Sequence, residues 1–369
     1  MSGVDGARNL AARAIRRLGS VHKPVVRLAR RRARERDARA LRDAVALVER
    51  DLRRVASGTA PIVAGPWLAE VGYEVLYWIP FLRWFCDAHG VAPERLIVLS
   101  RGGMGPLYRE LAARYVDIFD LMTPEELVTQ NDARRAEDEG GGRKQTQLSG
   151  LDTELIERAR AAAGVPSVAV CHPSMMNGLL RQVWLGNLPF DLLWRRTQYA
   201  RMTIAADGLS GLPSDLPSRY IAVKLYAGPA LTMTPETTDA VRRLVRHMAR
   251  TTPVVALETP EGLDEHRDLD LSGIPGVISA RALIETRTNL QTQIALVAGA
   301  TQFLGSCGGL AWLAPFLGVP TIAVYDNDAL LGPHLFVARQ AGRRVGAASF
   351  TPLDVQAFSQ LGVWDGPPA

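Results

Sequence analysis

Short apolar runs alternate with amphipathic stretches along the chain, most clearly in its second half. Tyr220–Leu225, Pro253–Leu257, Val277–Ser279, Gln302–Leu304 and Thr321–Tyr325 read as strands, each bounded by Gly, Pro or polar residues. Between them, Pro235–Arg250, Leu290–Ala298 and Leu310–Leu317 carry apolar residues at helical spacing. Such alternation predicts a parallel sheet covered on both faces. The first half repeats the pattern less evenly. Ala60–Ala64, Arg95–Ser100 and Ser167–Cys171 read as strands, and Pro106–Tyr115 and Thr153–Ala163 as helices. Glu74–His89 reads as an aromatic-rich helix that Pro80 would kink or divide. Asn131–Leu148, polar and carrying Gly140-Gly141-Gly142, reads as a mobile surface loop.

At 369 residues the chain exceeds one typical core. A Gly-, Pro- and Ser-rich break at 208–217 marks a domain boundary. The expected fold is α/β, with two Rossmann-like domains facing a cleft. The first would span 60–207 and the second 208–345, after a basic helical arm at 1–59 and before a C-terminal tail or helix at 346–369.

Composition narrows the class. Hydrophobic residues make up 47% of the chain, which suits a soluble globular protein. No apolar run reaches ~18 residues, so no membrane-crossing helix is expected. The first residues lack the apolar core of a signal peptide, which points to the cytoplasm. Cys86, Cys171 and Cys307 are scattered without zinc-type spacing. Charge is uneven: residues 1–54 carry a net of +10, while the whole chain carries +5. This arm suits an anionic membrane surface, placing the protein peripherally at the inner face, and nucleic acid is the weaker alternative. A plain solvated helix remains the bland reading.

Candidate chemistry gathers at the ends of the expected strands, where ligands sit in open parallel sheets. Gly305-Ser306-Cys307-Gly308-Gly309 joins a strand to a helix. Its turn would present backbone amides and the positive end of a helix to an anion such as a diphosphate. A glycine-rich connector is the alternative. Lys224 lies inside an otherwise apolar strand and is the only lysine after residue 144, so its ammonium, if buried, needs an anionic partner such as a diphosphate; a solvent-facing position is the alternative. Tyr226 follows it, and Arg281 adds a second cation with bidentate reach. Glu258 ends another strand and could meet a ribose or base, or cap the next segment. Asn289 and Gln293 share one helical face and could contact a sugar or cap the helix.

In the first half, Glu70 precedes the aromatic helix and could act as a general base on an acceptor hydroxyl. Glu74 could share that task or cap the helix, and His172, after the third strand, is the rival base; a structural acid at Glu70 and a packed, hydrogen-bonded histidine at His172 are the alternatives. Asp326-Asn327-Asp328 resembles an acidic metal pair but equally an ordinary turn, and no metal is expected.

Two segments carry a family resemblance. Gly305–Tyr325, GSCGGLAWLAPFLGVPTIAVY, resembles the donor half of nucleotide-sugar glycosyltransferases of the GT-B type, among them heptosyltransferases and fucosyltransferase-like enzymes. Gly65–Pro80, GPWLAEVGYEVLYWIP, is similar to the first loop of bacterial glycosyltransferase-like proteins. The resemblance implies a nucleoside-diphosphate sugar held by Lys224 and Ser306, Cys307, Gly308 and Gly309. It implies a glycan or lipid-linked acceptor in the first domain, with Glu70 as base and no bound cofactor or metal. The chain lacks the Gly-Asp of the heptosyltransferase first loop. A sugar-nucleotide epimerase and a non-catalytic nucleotide-binding protein are the competing readings on the same scaffold.

Overall fold

The computed structural model describes residues 36, 39–137, 145–204, 212–259, 267–329 and 331–360. The rest of the basic arm, the glycine run at 140–142 and residues 208–211 of the expected break lie outside the described residues. The chain divides into two compact units, Met1–Asp51 and Leu52–Ala369. In the first, residues 36 and 39–51 are helical. The second contains two parallel sheets, each flanked by helices. Among the described residues, no helix is long and apolar enough to cross a membrane.

The first sheet contains β1 (Ile62–Ala64), β2 (Leu96–Ser100), β3 (Arg114–Asp117) and β4 (Ala169–Cys171), in the order β3-β2-β1-β4. Val63 is central, registered against Ile97 on one side and Val170 on the other. Every residue of β1 and β2 is buried, as expected for parallel strands covered on both faces. In the second half, β5 (Ile221–Lys224) is followed by β6 (Tyr226–Ala227), β7 (Val254–Ala256), β8 (Arg267–Asp268), β9 (Val277–Ser279), β10 (Gln302–Ser306), β11 (Thr321–Tyr325) and β12 (Phe350–Asp354). Six of these form a parallel sheet in the order β12-β11-β10-β5-β7-β9, while β6 and β8 form a small antiparallel ribbon. Gly305 stands level with Lys224 on one side and Ala323 on the other.

Strand order reverses once in each sheet. In the first, β1 is the starting strand, with β2 on one side and the later β4 on the other. In the second, β5 starts, with β7 on one side and β10 on the other. A crevice opens beyond the carboxyl ends at such a reversal, because neighbouring connections diverge there.

Several elements differ from expectation. Pro106–Tyr115 is not one helix. A single turn spans Gly105–Tyr108, and Arg114–Asp117 pairs with β2 as an edge strand. That strand holds the turn after β2, because the amides of Gly102 and Gly103 donate to Asp117 and the amide of Met104 donates to the Tyr115 hydroxyl. Residues 131–137 belong to a helix, Pro124–Glu137, rather than to a mobile loop. Phe350–Asp354, expected in a tail, extends the second sheet alongside β11.

Glu74–His89 is divided into a π turn, Glu74–Trp78, and helix α1, Ile79–His89. Pro80 has no N–H for the Leu76 carbonyl. The Tyr199 hydroxyl donates to that carbonyl instead, at 2.9 Å. The Ile79 amide reaches back five residues to the Glu74 carbonyl, so the break at Pro80 takes the form of a widened turn.

Candidate functional site

A cavity of about 610 Å³ joins the two strand-order reversals. Its wall takes Trp67 and Ala69 to Tyr73 from the segment after β1, and Met176 and Asn177 from helix α2 (Pro173–Trp184) after β4. From the second sheet it takes Lys224 and Tyr226 beside β5, and Ser306 to Gly309 at the end of β10.

The turn after β10 divides its polar groups between structure and cavity. The Ser306 hydroxyl donates to the Tyr226 carbonyl at 2.9 Å and accepts the Tyr226 amide at 2.8 Å, tying β10 to β6. The Cys307 amide donates to the Val324 carbonyl at 2.8 Å. Burial pushes its thiol up to about 12, so the sulfur stays protonated. Among the described residues, the amides of Gly308 and Gly309 donate no hydrogen bond. Gly308 has φ of 145°, a conformation open only to glycine at low cost. All four turn residues expected to meet an anion line the cavity, and two of them have amides with no acceptor among the described residues.

Lys224 is paired within the protein. Its ammonium lies 2.9 Å from the Asp268 carboxylate and donates to the Leu257 carbonyl at 2.8 Å. The anionic partner that burial demands is therefore Asp268, brought across by pairing of β6 with β8. Thr259 donates to the same carboxylate through its amide and its hydroxyl. Glu258 and Arg281 do not line the cavity. Glu258 accepts a hydrogen bond from Ser279, and Arg281 is exposed at the start of a short 3-10 turn.

Asn289 and Gln293 lie on helix α3 (Asn289–Ala298), and both border the cavity. The Leu290 and Gln291 amides of this helix both donate to the Gly102 carbonyl, at 3.0 Å, so the turn after β2 caps its first turn. The two halves also meet closely where Val71–Tyr73 packs on helix α4 (Gly309–Leu313). A Cβ on Gly72 would stand 2.8 Å from the Gly309 nitrogen.

On the acceptor side, Glu70 is exposed and lines the cavity. Glu74 and His172 do not line it. Glu74 is fully buried, and its Oε1 accepts from Ser100 at 2.6 Å and Tyr108 at 2.5 Å. Burial raises its pKa to about 7 against the lowering effect of these two donors. His172 caps α2 by accepting the Ser174 amide at Nδ1, and its Nε2 lies 3.4 Å from Asp152. Both residues face inward because they serve helix starts and the core rather than the crevice.

Other cavity residues escaped the sequence reading. His334 lies on helix α5 (Gly332–Val345), with its ring nitrogens 2.8 Å from the Tyr73 hydroxyl and 2.6 Å from the Tyr77 hydroxyl. Gly332-Pro333 just after a strand was a helix-start signal that could have located it. Arg135, its guanidinium 3.5 Å from the Asp132 carboxylate, joins the wall from the stretch read as a loop. Gln145 is fully buried behind the wall. Its carboxamide accepts the Leu68 amide and donates to the Pro66 carbonyl, both at 2.8 Å, fixing the segment that carries Glu70. Asp326 accepts from the Thr232 amide and hydroxyl. Among the described residues, no group of three His, Cys, Asp or Glu side chains is placed to hold a metal.

No family model matches the chain, and no curated protein matches it. Solved glycosyltransferase structures are similar to it in fold. A family 9 glycosyltransferase from Veillonella parvula is 12% identical, with 82% of this chain and 88% of that one covered and a TM-score of 0.45. The E. coli heptosyltransferase WaaC with ADP is 14% identical over 82% of this chain and 98% of that one, with a TM-score of 0.41. E. coli ADP-heptose lps heptosyltransferase II is 15% identical over 74% and 87%, with a TM-score of 0.39.

Proposed function

We propose that this protein transfers a sugar from a nucleoside-diphosphate sugar to an acceptor hydroxyl. The observation that carries the reading is one cavity shared by both strand-order reversals. Its lining includes two glycine amides that donate no hydrogen bond among the described residues, and an exposed carboxylate. Aligned amides stabilise the charge that grows on a departing diphosphate. Glu70 takes the proton from the acceptor hydroxyl as its oxygen attacks the anomeric carbon. A new C–O bond forms there, the bond to the phosphate oxygen breaks, and the nucleoside diphosphate leaves with the bonding electrons.

Lys224 enters this scheme as one half of a pair with Asp268. It positions the strand end and contributes little net charge, so the turn amides carry more of the diphosphate's charge. The acceptor belongs to a surface glycan or a lipid-linked precursor, and residues 1–54 hold the enzyme at an anionic membrane face.

The test is turnover. The full chain is incubated with sugar nucleotides and a panel of glycan acceptors, and both products are measured. Free nucleoside diphosphate should appear in step with a heavier acceptor, and Glu70→Gln should slow this by about 100-fold. Nucleotide release with no acceptor consumed would instead support a sugar-nucleotide epimerase.

A further inference from the structure

Two carboxamides in the cavity wall have oxygens that lack the donors their chemistry demands. Asn289 and Gln293 stand four residues apart on α3, which puts them on one face. They are 7% and 3% exposed, and both border the cavity. Among the described residues, neither Asn289 Oδ1 nor Gln293 Oε1 accepts a hydrogen bond. A buried acceptor without a donor is costly, and an apolar side chain of the same size would avoid the penalty. The helix does not need them as caps, because the Gly102 carbonyl already receives its first free amides.

We infer that Asn289 and Gln293 bind hydroxyl groups of the transferred sugar, and so select the donor by its sugar. This rests on the transferase reading above. A carboxamide carries both a donor and an acceptor and can exchange them by turning about its last torsion. A hydroxyl also donates and accepts, so it pairs with either orientation. Two carboxamides one turn apart, about 6 Å, suit two neighbouring hydroxyls of a sugar ring. A phosphate offers only acceptors and would leave both buried oxygens unserved.

Their position agrees with that assignment. Asn289 Oδ1 lies 3.1 Å from where a Cβ on Gly102 would stand, so it sits at the seam with the first half. The transferred sugar must lie at this seam, because it passes from a donor held by one half to an acceptor held by the other. The diphosphate keeps to Gly308 and Gly309.

The experiment compares nucleoside diphosphates with their sugar conjugates. The full chain and its Gln293→Met and Asn289→Leu variants are titrated with UDP, GDP, ADP and dTDP. The same titrations use UDP-glucose, UDP-N-acetylglucosamine, GDP-mannose, ADP-glucose and dTDP-glucose. Gln293→Met should weaken the preferred conjugate about tenfold while leaving its parent diphosphate within about twofold. The melting temperature of the ligand-free variant should hold or rise, because an unserved buried group has been removed. Asn289→Leu should behave alike. Equal loss for diphosphate and conjugate, no loss for either, or a lower melting temperature without ligand would overturn the inference. A wild-type chain that binds no nucleoside diphosphate removes the transferase reading and this inference with it. One that binds diphosphate with the conjugate unaffected by both variants removes this inference alone.

Discussion

The Lys224 ammonium lies 2.9 Å from the Asp268 carboxylate, with their side chains 11% and 16% exposed. Removing one member takes a close opposite charge from a largely buried group, and Asp268→Ala should cost about 3 kcal/mol of stability. The Lys224→Met/Asp268→Leu double variant should recover most of that loss, because both charges go together. Urea denaturation of the three variants against wild type measures the coupling. Additive losses would mean that the pair is solvated and weak.

Glu74 gives the protein a pH dependence of known sign. Its pKa rises from 4.5 to about 7 on folding, because the buried carboxyl resists ionisation. Below 4.5 both states are protonated and the group contributes nothing. Between 4.5 and about 7 the unfolded chain ionises while the folded one does not, so stability falls as pH rises and levels off above 7. The full span is at most about 3 kcal/mol. Glu74→Gln should abolish this slope and leave the protein as stable or more stable at pH 8. Denaturation midpoints at pH 5, 6, 7 and 8 for both proteins provide the check.

Gly72 keeps the two halves in close contact. A Cβ there would lie 2.8 Å from the Gly309 nitrogen and 3.0 Å from the Trp312 ring. Backbone cannot yield as a flexible side chain can, so Gly72→Ala should cost about 1–3 kcal/mol. It should also weaken binding of any ligand held by the Gly309 amide. Thermal melts with and without a nucleoside diphosphate separate the two effects.

Tyr199 serves the carbonyl that Pro80 leaves open. Tyr199→Phe keeps the ring and removes only the donor, and should cost about 1–2 kcal/mol. Pairing this change with Pro80→Ala, which restores an N–H four residues after Leu76, should reduce the loss. Chemical denaturation of the single and double variants reads the coupling.

The uninterrupted apolar strands were legible because parallel strands buried on both faces need little else. Ile221–Val223 and Ile322–Val324 are the apolar centres of such strands, and the glycine turn after β10 was equally visible. The edge strands were not. Arg114–Asp117 mixes charge with aromatics, and Phe350–Asp354 contains Pro352, so neither has a clear strand pattern. Lys224 announced a need for an anion, but Asp268 is 44 residues away and arrives through a ribbon of two-residue strands. Gln145 sits in a polar glycine-rich stretch, and only tertiary contacts reveal it as buried. Glu70 and Glu74 lie four residues apart on paper, yet one faces the cavity and the other the core.

The most direct test of the central claim is calorimetric titration of the full chain with UDP, GDP, ADP, dTDP and CMP. One nucleoside diphosphate should bind with one-to-one stoichiometry and more tightly than CMP. A Gly309→Val variant, folded by circular dichroism, should lose at least about tenfold in that affinity. Absence of binding by every diphosphate, or unchanged affinity in the folded variant, would contradict a diphosphate site at the end of β10.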